Sequence, residues 1–138
     1  GLNVGSFDFA DINEADIPPD ILFPAAVAII IGLGVKLAAF GFHIWLPYAH
    51  GSAPTPISAL LSPAMIGIGA YALFRLIVEF LPQTYADLSI WLTIWGVATM
   101  FYGGAMALMQ DDIKRVFAYS SISQMGYLLF GIGSISTL

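Results

Sequence analysis

A lysine lies inside an apolar run. Every residue from Ile21 to Val35 is uncharged and most are apolar; Lys36 follows, and Leu37-Ala-Ala-Phe-Gly-Phe42 continues the run. In water such a side chain would simply reach for solvent. In a bilayer it costs a few kcal/mol, and the helix carrying it must turn that face toward protein or trapped water. The run then closes on a cluster of His43, Trp45, Pro47 and His50. No other feature restricts the fold as tightly, because it sets a charge within a segment long enough to be a membrane span.

Composition supports the membrane reading. Of the 138 residues, 59% are hydrophobic and 9% are charged, with a mean hydropathy of +0.87. Soluble domains carry about a quarter charged residues, so this chain lacks the polar surface to cover a globule. Its apolar stretches are long rather than alternating, which predicts an all-α integral membrane protein. The net charge of −5 comes largely from Asp8, Asp11, Glu14, Asp16 and Asp20 at the start. So few cations exclude a nucleic-acid partner. The chain has no cysteine, which rules out disulfides, Cys-ligated iron–sulfur clusters and thiolate zinc sites. Two histidines are too few for a metal centre, so no metal and no cofactor are expected. No basic segment precedes the first apolar run, so that run is not a signal peptide. The chain does not start with Met and it stops inside an apolar segment, which reads as a piece of a larger polytopic protein.

Two regions are expected: an extramembrane acidic loop or tail over 1–20, and a transmembrane region over 21–138. The latter divides into four helices near 21–46, 56–80, 88–109 and 114–138. The first two are expected to be discontinuous, with breaks or non-helical turns near Gly32–Lys36 and Pro63–Gly69; Gly32, Gly34, Pro47, Pro54, Pro56, Pro63 and Gly67 are the structural or helix-breaking residues. His50-Gly-Ser-Ala-Pro-Thr-Pro56 is too rich in Pro and Gly to be helical, and Pro82-Gln-Thr-Tyr-Ala-Asp87 reads as a turn. Arg75 and Glu79, four apart, would face each other on a helix. Trp91 and Trp95 are placed as an aromatic belt. Lys114 and Arg115 lie in the loop after the third span. The positive-inside rule puts that loop on the cytoplasmic side and the acidic N-terminal stretch outside.

Three groups of residues are candidates for chemistry. Lys36 reads as a proton-relay residue, since desolvation brings an ammonium toward neutral exchange. The competing reading is a structural lysine paired with a carboxylate on a helix outside this stretch. His43 and His50 are proton-relay candidates beside it; equally, they are interfacial histidines that hydrogen-bond the loop. Ser58, Ser62, Ser121, Ser123 and Gln124 form a candidate polar path, although the spacing of the serines in the fourth helix serves water or a neighbouring helix equally well. Gly32-Leu-Gly-Val-Lys36 lacks the spacing of a Walker loop, and there is no Gly-x-Ser-x-Gly elbow. Chemistry within this stretch is not expected.

The motifs Val35-Lys-Leu, Phe42-His-Ile-Trp-Leu-Pro-Tyr-Ala-His50, Ala53-Pro-Thr-Pro-Ile-Ser-Ala-Leu-Leu61, Ala70-Tyr-Ala-Leu-Phe-Arg75 and Asp112-Ile-Lys-Arg-Val-Phe-Ala-Tyr-Ser-Ser-Ile-Ser-Gln-Met-Gly126 occur in that order. Together they resemble the core of the antiporter-like subunits of respiratory complex I. Multisubunit sodium/proton antiporters and membrane-bound energy-converting hydrogenases share this family. The resemblance implies about the seventh to tenth helices of an inverted-repeat fold of about fourteen. It makes Lys36 the family's lysine on a broken helix, partnered by a glutamate on an earlier one. It also implies proton or cation translocation by a non-redox subunit, in contact with the bilayer and other membrane-arm subunits, without binding quinone itself. The alternative is a subunit of a secondary sodium/proton antiporter with no redox arm. The expected location is a prokaryotic cell membrane or an energy-transducing organelle membrane. Where close family members have a lysine on the next helix, this chain has Gly67. Where another branch has a histidine, it has Ser62 nearby. A relay toward the centre would then rest on water, on Ser58 or Ser62, or on residues beyond this stretch.

Overall fold

The computed structural model describes residues 18–77 and 82–135, and every element in it is helical. Helix α1 spans Pro19–Lys36, α2 Trp45–Ser52 and α3 Thr55–Leu60. A π-helical segment, Leu61–Ile66, leads without interruption into α4, Gly67–Arg75. Helices α5 (Pro82–Leu108) and α6 (Ile113–Ser134) complete the chain. Thr55–Arg75, taken as one helix, and Ala86–Leu108 are long and apolar enough to cross a membrane. The acidic stretch up to residue 17, Glu79 and the last three residues lie outside the described residues.

Several expected interruptions are helical. Helix α1 runs straight through Gly32 and Gly34 and stops at Lys36. Gly34 is there for close packing: a Cβ on it would overlap the Trp95 ring. The stop is a Schellman turn, in which the Ala39 amide donates to the Gly34 carbonyl and the Ala38 amide to the Val35 carbonyl. Its left-handed position is Ala38 (φ 53°), a conformation usually left to glycine. Pro47 and Pro56 stand in the first turns of α2 and α3, and Pro54 caps α3. A proline there gives up an amide that had no helical acceptor anyway, so His50-Gly-Ser52 stays helical and only Ala53-Pro54 is not. Pro63 lies inside the π-helical segment. Its missing amide removes one bond from the ladder, and the widened turn absorbs the defect. Gly67 begins α4. The stretch 82–87, expected as a turn, is helical and belongs to α5.

Helices α5 and α6 run antiparallel, and small residues set their separation. A Cβ on Gly103 would meet the Ser123 backbone at 2.6–2.9 Å, one on Gly126 the Met100 Cα at 2.7 Å, and one on Gly133 the Thr93 amide nitrogen at 2.7 Å. Such close backbone approach maximises dispersion contact where lipid offers no hydrophobic drive. Ser123 fastens the seam by donating to the Met100 carbonyl at 3.0 Å. Helix α2 packs on α6, and α1 on α4 and α5. The fully buried core side chains include Leu37, Leu46, Ile66, Leu73, Ile122 and Leu129.

Candidate functional site

The break after Lys36 is held on several sides. The Val35 carbonyl, already accepting the Ala38 amide, also accepts the Trp45 indole N–H at 3.0 Å. From α5, the Trp95 indole donates to the Phe40 carbonyl at 2.8 Å, and Thr99 accepts the Phe40 amide at 3.0 Å. Within the Ala86–Leu108 span, Trp95 and Thr99 are each nine residues from the nearer end, so each stands about 14 Å from it. The segment from Gly34 to Phe40, with Lys36 inside it, is therefore level with the middle of that helix. Lys36 ends α1, where the negative pole of the helix dipole favours a cation. It is exposed at the surface of the described helices. Its stem runs along α4: a Cβ on Gly69 would stand 3.4 Å from Lys36 Cγ. The described carboxylates, Asp20, Asp87, Asp111 and Asp112, all belong to helix ends rather than to this level.

The two histidines go to different places. His50 is buried and its Nδ1 is hydrogen-bonded to Ser58 Oγ. From there a groove of about 670 Å³ follows the cleft between α3, the π-helical segment and α6. Ser58, Ser62, Ser120, Ser121, Gln124 and Lys114 supply its polar lining. Ser62 and Ser121 share a hydrogen bond of 2.8 Å across it. Five of the predicted residues, His50, Ser58, Ser62, Ser121 and Gln124, are thus brought together. Ser123 is not among them, because its hydroxyl faces α5. At the mouth, Lys114 Nζ donates to the Ala53 carbonyl at 3.1 Å, tying the α2–α3 turn to the start of α6.

His43 lies within the break, buried, with its ring centroid 4.5 Å from that of Tyr102 and 6.2 Å from that of Phe40. It lines a second, smaller cavity of about 190 Å³ with Tyr48, Tyr102, Tyr119 and Arg115. Arg115 stands 5.9 Å over the Tyr48 ring, a cation–π distance. Sequence reading passed over these tyrosines, which look like ordinary aromatic filling. The signal available was a phenol within each apolar run, since a buried hydroxyl needs a partner. Two polar clusters therefore flank α2. One descends from the Lys114 end along α6, and the other reaches from Arg115 toward the break.

Over residues 3–137 the chain matches the family described as NADH:quinone oxidoreductase/Mrp antiporter, transmembrane. It is 40% identical over 136 residues to NAD(P)H-quinone oxidoreductase chain 4-2 of Synechocystis sp., an alignment covering 99% of this chain and 24% of that protein. It is 38% identical over 138 residues to chain 4 of Prochlorococcus marinus subsp. pastoris, covering 100% of this chain and 25% of the relative. A chain 4 protein of Picosynechococcus sp. is 38% identical over 133 residues, covering 96% and 24%. The chain spans about a quarter of the length of the curated relatives it matches.

Proposed function

Because the chain belongs to the NADH:quinone oxidoreductase/Mrp antiporter transmembrane family, we propose that it is part of the proton-translocating, non-redox membrane subunit of an NAD(P)H-quinone oxidoreductase, with Lys36 as the group that takes up and releases the proton. The observation that carries this is a helix that stops at a lysine level with the middle of a neighbouring span. Unwound backbone at membrane depth is tolerated only where protein or a water-lined cavity satisfies it, and broken helices of this kind mark ion sites in transporters. An ammonium at the C-terminal pole of a half-helix is stabilised as a cation.

In this reading α1 with α2, Thr55–Arg75 with its π-helical segment, α5 and α6 are four spans. The first is discontinuous at Lys36, and the second is loosened at Pro63. The groove from His50 through Ser58 and Ser62 to Ser121 is a polar path, and His43 serves the break from the side of the second cavity. The Lys114–Arg115 end is cytoplasmic and the acidic N-terminal stretch is outside. The rest of the subunit and other membrane-arm subunits complete the channel. Quinone and electron carriers bind elsewhere. The relatives above are all named as quinone oxidoreductase chains, which favours this reading over a secondary antiporter without a redox arm.

The test is proton translocation in vesicles reconstituted with the whole complex. Lys36→Ala should abolish or strongly reduce pumping. Lys36→Arg should do the same while keeping the charge, because a guanidinium does not give up its proton in proteins. An assembled Lys36→Arg complex that pumps like wild type would make Lys36 a fixed charge and end the proposal.

A further inference from the structure

Trp95 and Thr99 stand one turn apart on α5, and both reach a single residue of the break. Thr99 is fully buried. Its hydroxyl donates to the Trp95 carbonyl at 2.7 Å. With its one proton spent there, Oγ1 is left to accept the Phe40 amide. The Trp95 indole donates to the Phe40 carbonyl. Both backbone groups of Phe40 are therefore satisfied by one helix turn of α5, and neither has to find water. The same indole ring rests on Gly34, two residues before Lys36, where any side chain would overlap it. Phe42 adds an edge-on contact to the ring at 6.3 Å. The lysine is thus bracketed by Trp95, at Gly34 and at Phe40, and Thr99 adds a second bond at Phe40.

Those two residues also adjoin the α5–α6 seam. Gly96, next to Trp95, packs on the backbone of Gly126 and Phe130, and Gly103, one turn beyond Thr99, packs on Ser123. A seam that tight moves as a unit, because backbone against backbone leaves no side chain to yield. Displacing the α5–α6 pair relative to α1 therefore strains the hydrogen bonds at Phe40.

We propose that Trp95 and Thr99 are positioning residues for Lys36: they latch the break against α5, fix where the ammonium stands, and transmit movement of the α5–α6 pair to it. This rests on the reading of Lys36 as the proton carrier. The latch joins side chains to backbone, so it acts by geometry rather than by passing protons.

The test uses the whole assembled protein with its other cysteines replaced. The buried Ala39, between Lys36 and Phe40, carries the reporter substitution Ala39→Cys, since this stretch has no cysteine of its own. Thr99→Val keeps the shape and loses both bonds. Thr99→Ser keeps the hydroxyl. Trp95→Phe keeps a ring and loses the donor. Thr99→Val and Trp95→Phe should raise the labelling rate of the reporter thiol by a water-soluble maleimide about tenfold, the scale of losing a hydrogen bond that holds the break in place. They should also shift the pH profile of proton translocation, and Thr99→Ser should restore both readouts. Val and Phe variants that label at the parental rate with an unmoved pH profile overturn the latch. If Thr99→Val fails to assemble, Trp95→Phe alone decides between these outcomes. A Ser variant as impaired as Val also overturns it, because the hydroxyl would then not be what matters. Faster labelling alongside normal pumping by Lys36→Ala removes the proton-carrier reading instead, and the positioning role with it.

Discussion

Replacing Gly126 by Ala tests whether glycine sets the α5–α6 separation. An added Cβ would lie 2.7 Å from Met100 Cα and 2.8 Å from the Gly96 carbonyl oxygen, where ordinary contact begins at 3.4 Å. The shortfalls, 3.4 against 2.7 and 2.8, are about 0.7 and 0.6 Å in a close-packed seam. Both neighbours are backbone, so relief requires the helices to part, and parting them also loosens the contacts at Gly96, Gly103 and Gly133. Overpacking of this kind costs about 1–3 kcal/mol, with the backbone contacts pushing toward the upper end. Alanine returns up to about 1 kcal/mol of helix propensity, leaving a net loss of about 1–2 kcal/mol. Gly131→Ala on the same helix is the control, because nothing lies within 4 Å of its added methyl. It should be neutral or stabilise by up to about 1 kcal/mol. The measurement is the unfolding midpoint of the full-length subunit in mixed micelles, with both variants in parallel. If the two shift alike, or Gly126→Ala is neutral, the close approach does not govern this pair. The latch at Phe40 would then have no rigid lever behind it.

Two further outcomes follow from the groove. Lys114→Met removes the bond from Nζ to the Ala53 carbonyl; since Lys114 is only partly buried, the loss should be about 1 kcal/mol, read as a lower unfolding midpoint with assembly retained. Ser62→Ala deletes the 2.8 Å contact with Ser121 at the centre of the groove; if protons use that path, pumping in reconstituted vesicles should fall several-fold with little change in stability, and unchanged pumping would assign the groove to packing alone.

The helical membrane class, the lysine inside an apolar run and the order of the family's motifs were all legible in the residues, because they depend on hydropathy over long windows and on local spacing. Lys36 needed no structure to stand out: a charge is conspicuous wherever its neighbours are apolar. The residue at which the helix ends needed one. The glycines place the break near Gly32–Lys36, since glycine weakens helices on average. The chain leaves the helix at the far end of that stretch, after Lys36, through Ala38 in a left-handed turn. Intrinsic propensity is worth about 1 kcal/mol or less per residue, and three hydrogen bonds, two donated by Trp45 and Trp95 and one accepted by Thr99, outweigh it. Two of those partners lie more than fifty residues away along the chain, so no local window could contain the cause. The prolines show the same limit: Pro47, Pro54 and Pro56 fall at helix starts, where they cost nothing, and only the placement of those starts distinguishes them from breaks. Ser121 and Ser123 are two residues apart, yet one faces the groove and the other the α5 seam. Residue type said that each would find a partner. Which partner each found was decided by the face of α6 on which it lay and by the glycines that brought α5 against that helix.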